Sequence, residues 1–256
     1  MKADLGAFEA AKNPDAGVQY GIDDPTDCQK AAFEPLGGAS PTGGVDSHAY
    51  AVAADGSGWI VADAGGNDLL RVSSTGKVSL LTVLPRQPST ITASAAAALG
   101  LPDCVIGAVY NFEPVPTDVE WRGGRLIVSL LPGGPEDPSL GARGSVYSVH
   151  PHSGKATWLA GGFLGATNVA VGHRGEIYVA EPVRRAGLAH PRPLVHAVRV
   201  GAGCRLDHRT RRDRAVGRCA GADRRPGQPD RTGGDRPHRV AGAVPSGESN
   251  PPQHPC

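Results

Sequence analysis

A strand–turn grammar recurs along the chain, and it restricts the fold more than any other feature. One unit runs from Ala49 to Leu81 as four strand-length apolar runs: Ala49–Ala54, Trp59–Ala64, Asp68–Val72 and Lys77–Leu81. Gly-containing turns separate them, at Asp55–Gly58, Gly65–Asn67 and Ser73–Gly76. The same order returns from Thr117 to Ala160, through Thr117–Trp121, Arg125–Leu131, Gly144–Val149 and Lys155–Ala160. A third unit opens with Thr167–Val171, turns at Gly172–Gly175 and runs Glu176–Glu181 before the pattern stops. Corresponding first-strand positions are Tyr50, Asp118 and Asn168, with an insert at roughly 85–112 between the first two units. Short strands bounded by Gly and Asx turns form antiparallel hairpins. Four such strands repeated at this period are the mark of propeller blades. The expected fold class is therefore all-β: an incomplete β-propeller of two four-stranded blades plus the start of a third, over residues 46–182.

Residues 1–45 read differently. Apolar residues at 5, 8 and 11 predict a short helix ended by Pro14, and the Gly-, Pro- and Asp-rich stretch after it reads as an inter-blade loop. Residues 183–256 differ again. The chain's near-neutral charge is the sum of −8 over residues 1–182 and +9 over residues 183–256. That second stretch carries 15 Arg, no Lys, no Ile and no aromatic residue. Such a composition buries too little apolar surface to offset about 1–2 kcal/mol of ordering entropy per residue, so it predicts a disordered Arg/Pro/Gly-rich tail. The break falls inside a blade, where no domain boundary belongs, and the mix of Arg, Pro, Gly, Ala and His is what a GC-rich strand yields out of frame. The tail is accordingly expected to follow a frameshift near Pro182. Six acidic residues among the Arg weigh against nucleic acid as its partner. The apolar runs are strand-sized, which predicts no membrane-spanning segment. No apolar signal-peptide core follows Met1, which predicts a cytoplasmic location for the chain as written.

Several side chains are candidates for chemistry. Asp118 and Asn168 begin equivalent strands and, with His48 and Tyr50, are expected to line a propeller's central channel. Their oxygens would suit a hard divalent ion such as Ca²⁺. Asp63 and Asn67 flank Gly65 and Gly66, and read chiefly as hairpin chemistry. Asp46, Ser47 and His48 are too close in sequence to converge as a triad. His150 and His152 read as surface residues of an outer hairpin. Trp59, Trp121 and Trp158 are expected to pack blade against blade. Cys28 and Cys104 sit in loop-like contexts without metal-ligand spacing, and read either as two free thiols or as a disulfide.

The stretch Val61–Val72 resembles the NHL-type and related six-bladed propellers. With Phe8–Asp15, Val45–Ala51, Phe112–Val119, Leu131–Asp137 and Gly165–Val169, residues 3–182 resemble the ScyD/ScyE family. The resemblance implies an exported protein with a signal segment and a closed propeller, with blades before Phe8 and after Glu181 that this sequence does not show. It implies an architecture rather than a reaction. The expected function is thus a non-catalytic β-propeller binding or scaffold protein, of which this chain is a fragment, with a small molecule or protein as partner. Two alternatives stand beside it. One is a lactonase-like hydrolase using a channel metal at Asp118 and Asn168. The other is polyanion binding through the Arg-rich tail.

Overall fold

Runs of six residues joined by turns of three or four leave no length for helix, and the chain between Ala49 and Val83 closes into successive antiparallel hairpins. The computed structural model describes residues 2–135, 138–183, 192–198, 204–205 and 218–219. All of them lie in one unit, residues 1–220. The chain opens with α1 (Leu5–Lys12), β1 (Gly21–Ile22) and α2 (Asp27–Phe33). Four strands follow: β2 (Ala49–Ala54), β3 (Gly58–Asp63), β4 (Asp68–Ser73) and β5 (Val78–Val83). The insert contributes β6 (Gln87–Thr90), α3 (Ala93–Ala98) and β7 (Val109–Phe112). A second set comprises β8 (Pro116–Arg122), β9 (Arg125–Leu130), β10 (Gly144–Val149) and β11 (Ala156–Phe163). Then come β12 (Asn168–Val171), β13 (Ile177–Val183), β14 (Arg192–Val198), β15 (Cys204–Arg205) and β16 (Arg218–Cys219).

These strands form four sheets, none of them closed: β2-β3-β4-β5, β8-β9-β10-β11 extended by β15 and β16, β12-β13-β14, and β1-β7-β6. The class is all-β, and the pairing is antiparallel except where β11 meets β15. Alternation along the central strands explains how three of the sheets stack. Successive side chains of a strand point to opposite faces. Ile60 and Ala62 of β3 therefore join Val119, Leu126, Val128 and Leu130 of the second sheet in one core. Val61 between them turns the other way, to Leu70, Val72 and the Leu5 and Phe8 side of α1. In β9, Ile127 points away from that first core to meet Val146, Phe163, Val169, Ile177 and Val179, so the second sheet is covered on both faces.

The first strands carry the contact between sheets as well: β2 lies against β8, and β8 against β12. Asp118 and Glu120, on β8, fasten the second of these contacts. Asp118 Oδ2 accepts from Val169 N–H at 2.9 Å and Glu120 Oε2 accepts from Val171 N–H at 2.5 Å. A carboxylate at the far end of the second strand recurs in two sheets. Asp63 accepts from His48 N–H, and Glu181 accepts from Gly165 N–H, in each case the segment that leads into the first strand. Removing the Asp118 carboxylate leaves the Val169 amide without its acceptor, so Asp118→Ala is expected to cost about 1–2 kcal/mol in urea unfolding. An unchanged midpoint would show that the latch carries no stability.

The structure departs from the sequence reading in two places. The segment 13–45 is not simply a loop. Together with the insert it builds a separate layer, in which β1 pairs β7 and β7 pairs β6. Its core is Ile22, Phe33, Ala39, Ile91, Ala95, Ala96 and Val105. Cap chemistry explains its helices: Thr26 and Gln29 form a reciprocal capping box on α2, and Thr92 caps α3. Cys28 of α2 and Cys104 of the 3₁₀ turn Asp103–Val105 are joined in a disulfide across 76 residues. The second departure concerns the boundary at 182. Residues 192–198 continue the third sheet as β14, paired with β13, and two short strands beyond them are also described. The pattern breaks in composition there, but backbone hydrogen bonding does not require the composition of a core strand. The remainder of the expectation for 183–256 lies outside the described residues. Among those described, no helix is long and apolar enough to cross a membrane.

Candidate functional site

Two places gather polar chemistry. The first lies at the end of the first sheet where β3 turns into β4. The residues Asp63 and Asp68 face each other as the last pair of that hairpin. The turn between them, Ala64–Asn67, packs beneath α1 and the loop that follows it. Asn67 takes a left-handed conformation (φ 56°), which Asn tolerates better than most residues. Its side chain then spans three segments. Asn67 Nδ2 donates to Asp15 Oδ2 at 3.0 Å and to Gly65 O, while Oδ1 accepts from Val115 N–H at 3.2 Å. The hairpin reading of Asp63 and Asn67 thus describes only part of their work.

Four carboxylates meet here with almost no exposure: Glu9, Asp15, Asp63 and Asp68, at 0–1%. Three of them have donors. Asp63 accepts from Ser47 Oγ, His48 N–H and Gly66 N–H. Asp15 accepts from Tyr20 Oη at 3.0 Å and from Asn67. Glu9 is steadied by the Asp46 backbone amide. Asp68 has none: both carboxylate oxygens are buried without a hydrogen-bond partner. No ion pair among the described residues reaches any of the four.

The electrostatic consequence is one-sided. Burial, then the negative charges of Asp63, Glu9 and Asp15, push the Asp68 carboxyl up to about 8. Burial and then Asp15 raise Glu9 above the ordinary carboxylate range, and the same two causes raise the Tyr20 phenol. Burial also leads the upward shift of Glu113, with Asp15 behind it. At Glu181 burial pushes upward too, but hydrogen bonds from His196 and the Gly165 amide outweigh it and lower the carboxyl. The contrast lies in the partners: Glu181 has donors, whereas Asp68 has none among the described residues.

The second place is a groove of about 710 Å³ between β6 and the β10–β11 edge. Its lining includes Gln87, Arg143, Ser145, Tyr147, Trp158 and Gly161. Gln87 is nearly buried and fully engaged. It accepts from Ser145 Oγ at 2.8 Å and donates to Pro85 O at 2.7 Å and Tyr147 Oη at 3.3 Å. With the Tyr147 oxygen serving as acceptor, its own proton is free to point into the groove. Arg143 works structurally: its guanidinium lies 4.4 Å over the Phe112 ring and donates to the carbonyls of Pro132, Gly133 and Pro135. The Trp158 indole rests against Gly161, where an added Cβ would meet it at 3.2 Å.

Four residues were expected to line a channel: His48, Tyr50, Asp118 and Asn168. His48, Tyr50 and Asn168 are exposed, and the His48 and Tyr50 rings lie 5.8 Å apart. Both oxygens of Asp118 are occupied by backbone amides, Oδ1 by Val119 and Oδ2 by Val169. Among the described residues no group of three or more His, Cys, Asp or Glu side chains forms a ready-made metal shell. The tryptophans diverge: Trp121 packs on the first core, Trp59 is 38% exposed, and Trp158 lines the groove. His150 accepts from the amides of His152 and Ser153 in its own turn. Glu9, Asp15, Asp68 and Gln87 were not visible as site residues. Only Asp63 and Asn67, flanking Gly65 and Gly66, carried a local signal. No protein-family model and no curated protein matches the chain.

Proposed function

We propose that this chain is a binding protein of the open β-propeller type, non-catalytic, taking a polar small molecule in the groove at Gln87, Tyr147 and Trp158. The groove carries the reading. It joins two aromatic rings to a fixed hydrogen-bonding set, the combination that grips a ligand with one apolar face and a polar edge. Neighbouring first strands and face-to-face sheets support the propeller part, since blades ranged about an axis meet in that way. The resemblance of residues 3–182 to the ScyD/ScyE family points in the same direction. The Cys28–Cys104 disulfide supports an exported protein, because such bonds persist in oxidising compartments.

Saturation-transfer NMR of the full chain with mono- and disaccharides and aromatic glycosides tests the reading. Binding is expected for at least one glycoside, weakened ~10-fold or more by Trp158→Ala. Absence of transfer with every member of the panel, or transfer indifferent to Trp158, overturns it.

A further inference from the structure

We propose that Glu9, Asp68 and the backbone carbonyl of Asp46 hold a hard divalent cation of the Ca²⁺ type in front of Gly66. The three groups come from α1, the β3–β4 hairpin and the loop before β2, and they converge on one small place. A Cβ at Gly66 would stand 3.3 Å from Glu9 Oε2, 3.6 Å from Asp68 Cγ and 3.7 Å from Asp46 O. Gly66 is buried and its φ is not in the left-handed region, so the backbone does not demand glycine there. A side chain there would crowd Glu9 Oε2 and approach the Asp68 carboxyl and the Asp46 carbonyl, and glycine leaves that room to them.

Asp68 gives the independent indication of an occupant. It is fully buried, its carboxyl carbon lies 3.6 Å from the place a Gly66 Cβ would take, and neither oxygen has a hydrogen-bond partner. A proton alone does not settle the group. A protonated Asp68 would still carry a buried O–H without an acceptor and a buried C=O without a donor. A cation satisfies both oxygens at once. It also offsets the charges of Asp15 and Asp63, whose own oxygens are held by Tyr20, Asn67, Ser47 and backbone amides. The donors are all oxygen, two carboxylates and a carbonyl, with water to complete the shell. Ca²⁺ accepts that mixture in flexible geometry, whereas Mg²⁺ demands a near-ideal octahedron and zinc favours nitrogen and sulfur.

The inference does not depend on the groove, and its test uses the full oxidised chain. After chelation, Ca²⁺ is titrated while thermal unfolding is followed. The melting temperature is expected to rise by roughly 5–10 °C at a hundredfold excess over Kd, and less with Mg²⁺. Asp68→Asn is expected to abolish the rise. Gly66→Ala retains all the carboxylates, and is expected to reduce the response by filling the space. Tb³⁺ emission sensitised by Tyr20 gives a second readout if Asp68→Asn fails to fold. An unchanged melt with Ca²⁺, or equal responses in wild type, Asp68→Asn and Gly66→Ala, overturns the proposal. So does a response that survives Asp68→Asn but disappears in Asp118→Ala, because it would put the ion at the β8–β12 contact.

Discussion

Reducing the Cys28–Cys104 bond is expected to lower stability by about 4–5 kcal/mol, the largest effect of any single covalent change in this chain. The estimate follows from chain entropy: closing a loop whose ends lie 76 positions apart restricts the unfolded ensemble far more than a short bridge does. The layer it staples has little else to hold it. Seven buried residues form its core, and β1 contributes only two residues to the sheet. Its side-chain ties across sequence include Arg86 to Asp23 and the Gln19 carbonyl, Asn111 to the Gly21 carbonyl, Gln29 to the Cys104 carbonyl, and the Phe33 ring against Tyr110. The Arg86–Asp23 pair is exposed, and water screening leaves such a pair little stabilising effect. The measurement is urea unfolding with and without reductant, with Cys28→Ser/Cys104→Ser as the control. Hydrogen exchange should show β1, β6 and β7 losing protection before β9 and β13. An unchanged midpoint would mean that tertiary packing alone orders this layer.

Freed of divalent cations, the protein is expected to lose stability as pH rises from about 4 to about 8, and Asp68→Asn is expected to remove most of that slope. The sign follows from the folded carboxyl lying above its ordinary value of 3.8, at about 8. Below pH 4 Asp68 is protonated in both states, and its full contribution is present. Between pH 4 and 8 the folded protein keeps a proton that the unfolded chain releases. Stability therefore falls by up to about 1.4 kcal/mol per pH unit, until Asp68 ionises in the folded state too. Over the window the loss reaches several kcal/mol. The groups facing Asp68 all push in one direction: Asp63 from β3, Glu9 from α1 and Asp15 from the loop between α1 and β1. Thermal melts across the pH range after chelation check the expectation. A flat profile, or a profile that Asp68→Asn leaves intact, would mean that Asp68 is solvated or partnered.

Much of this architecture was legible along the chain because its cause is local. Four short runs with Gly and Asx turns became β2-β3-β4-β5. The helix at Leu5 followed from its spacing and from the residues at its ends. The layer built from β1, β6 and β7 was not legible. Its strands are two to four residues long, and β1 reaches its partner β7 across about 90 residues of sequence. No periodicity forms at that length, and only long-range hydrogen bonding and the disulfide bring the pieces together.

The candidate sites divide in the same way. Asp118 was expected to line a channel and hold an ion with Asn168; its oxygens accept from the amides of Val119 and Val169. The residue type indicated a ligand, whereas the partners indicated a latch. By itself, the sequence determined the strand grammar, the helix caps, the turn residues and the division of charge at about 182, since each depends on neighbours within a few positions. Only the tertiary structure decided that Glu9, Asp15, Asp63 and Asp68 would share one buried space. Desolvation and Coulombic coupling depend on distance and burial, and neither can be read from residues lying 59 positions apart along the chain.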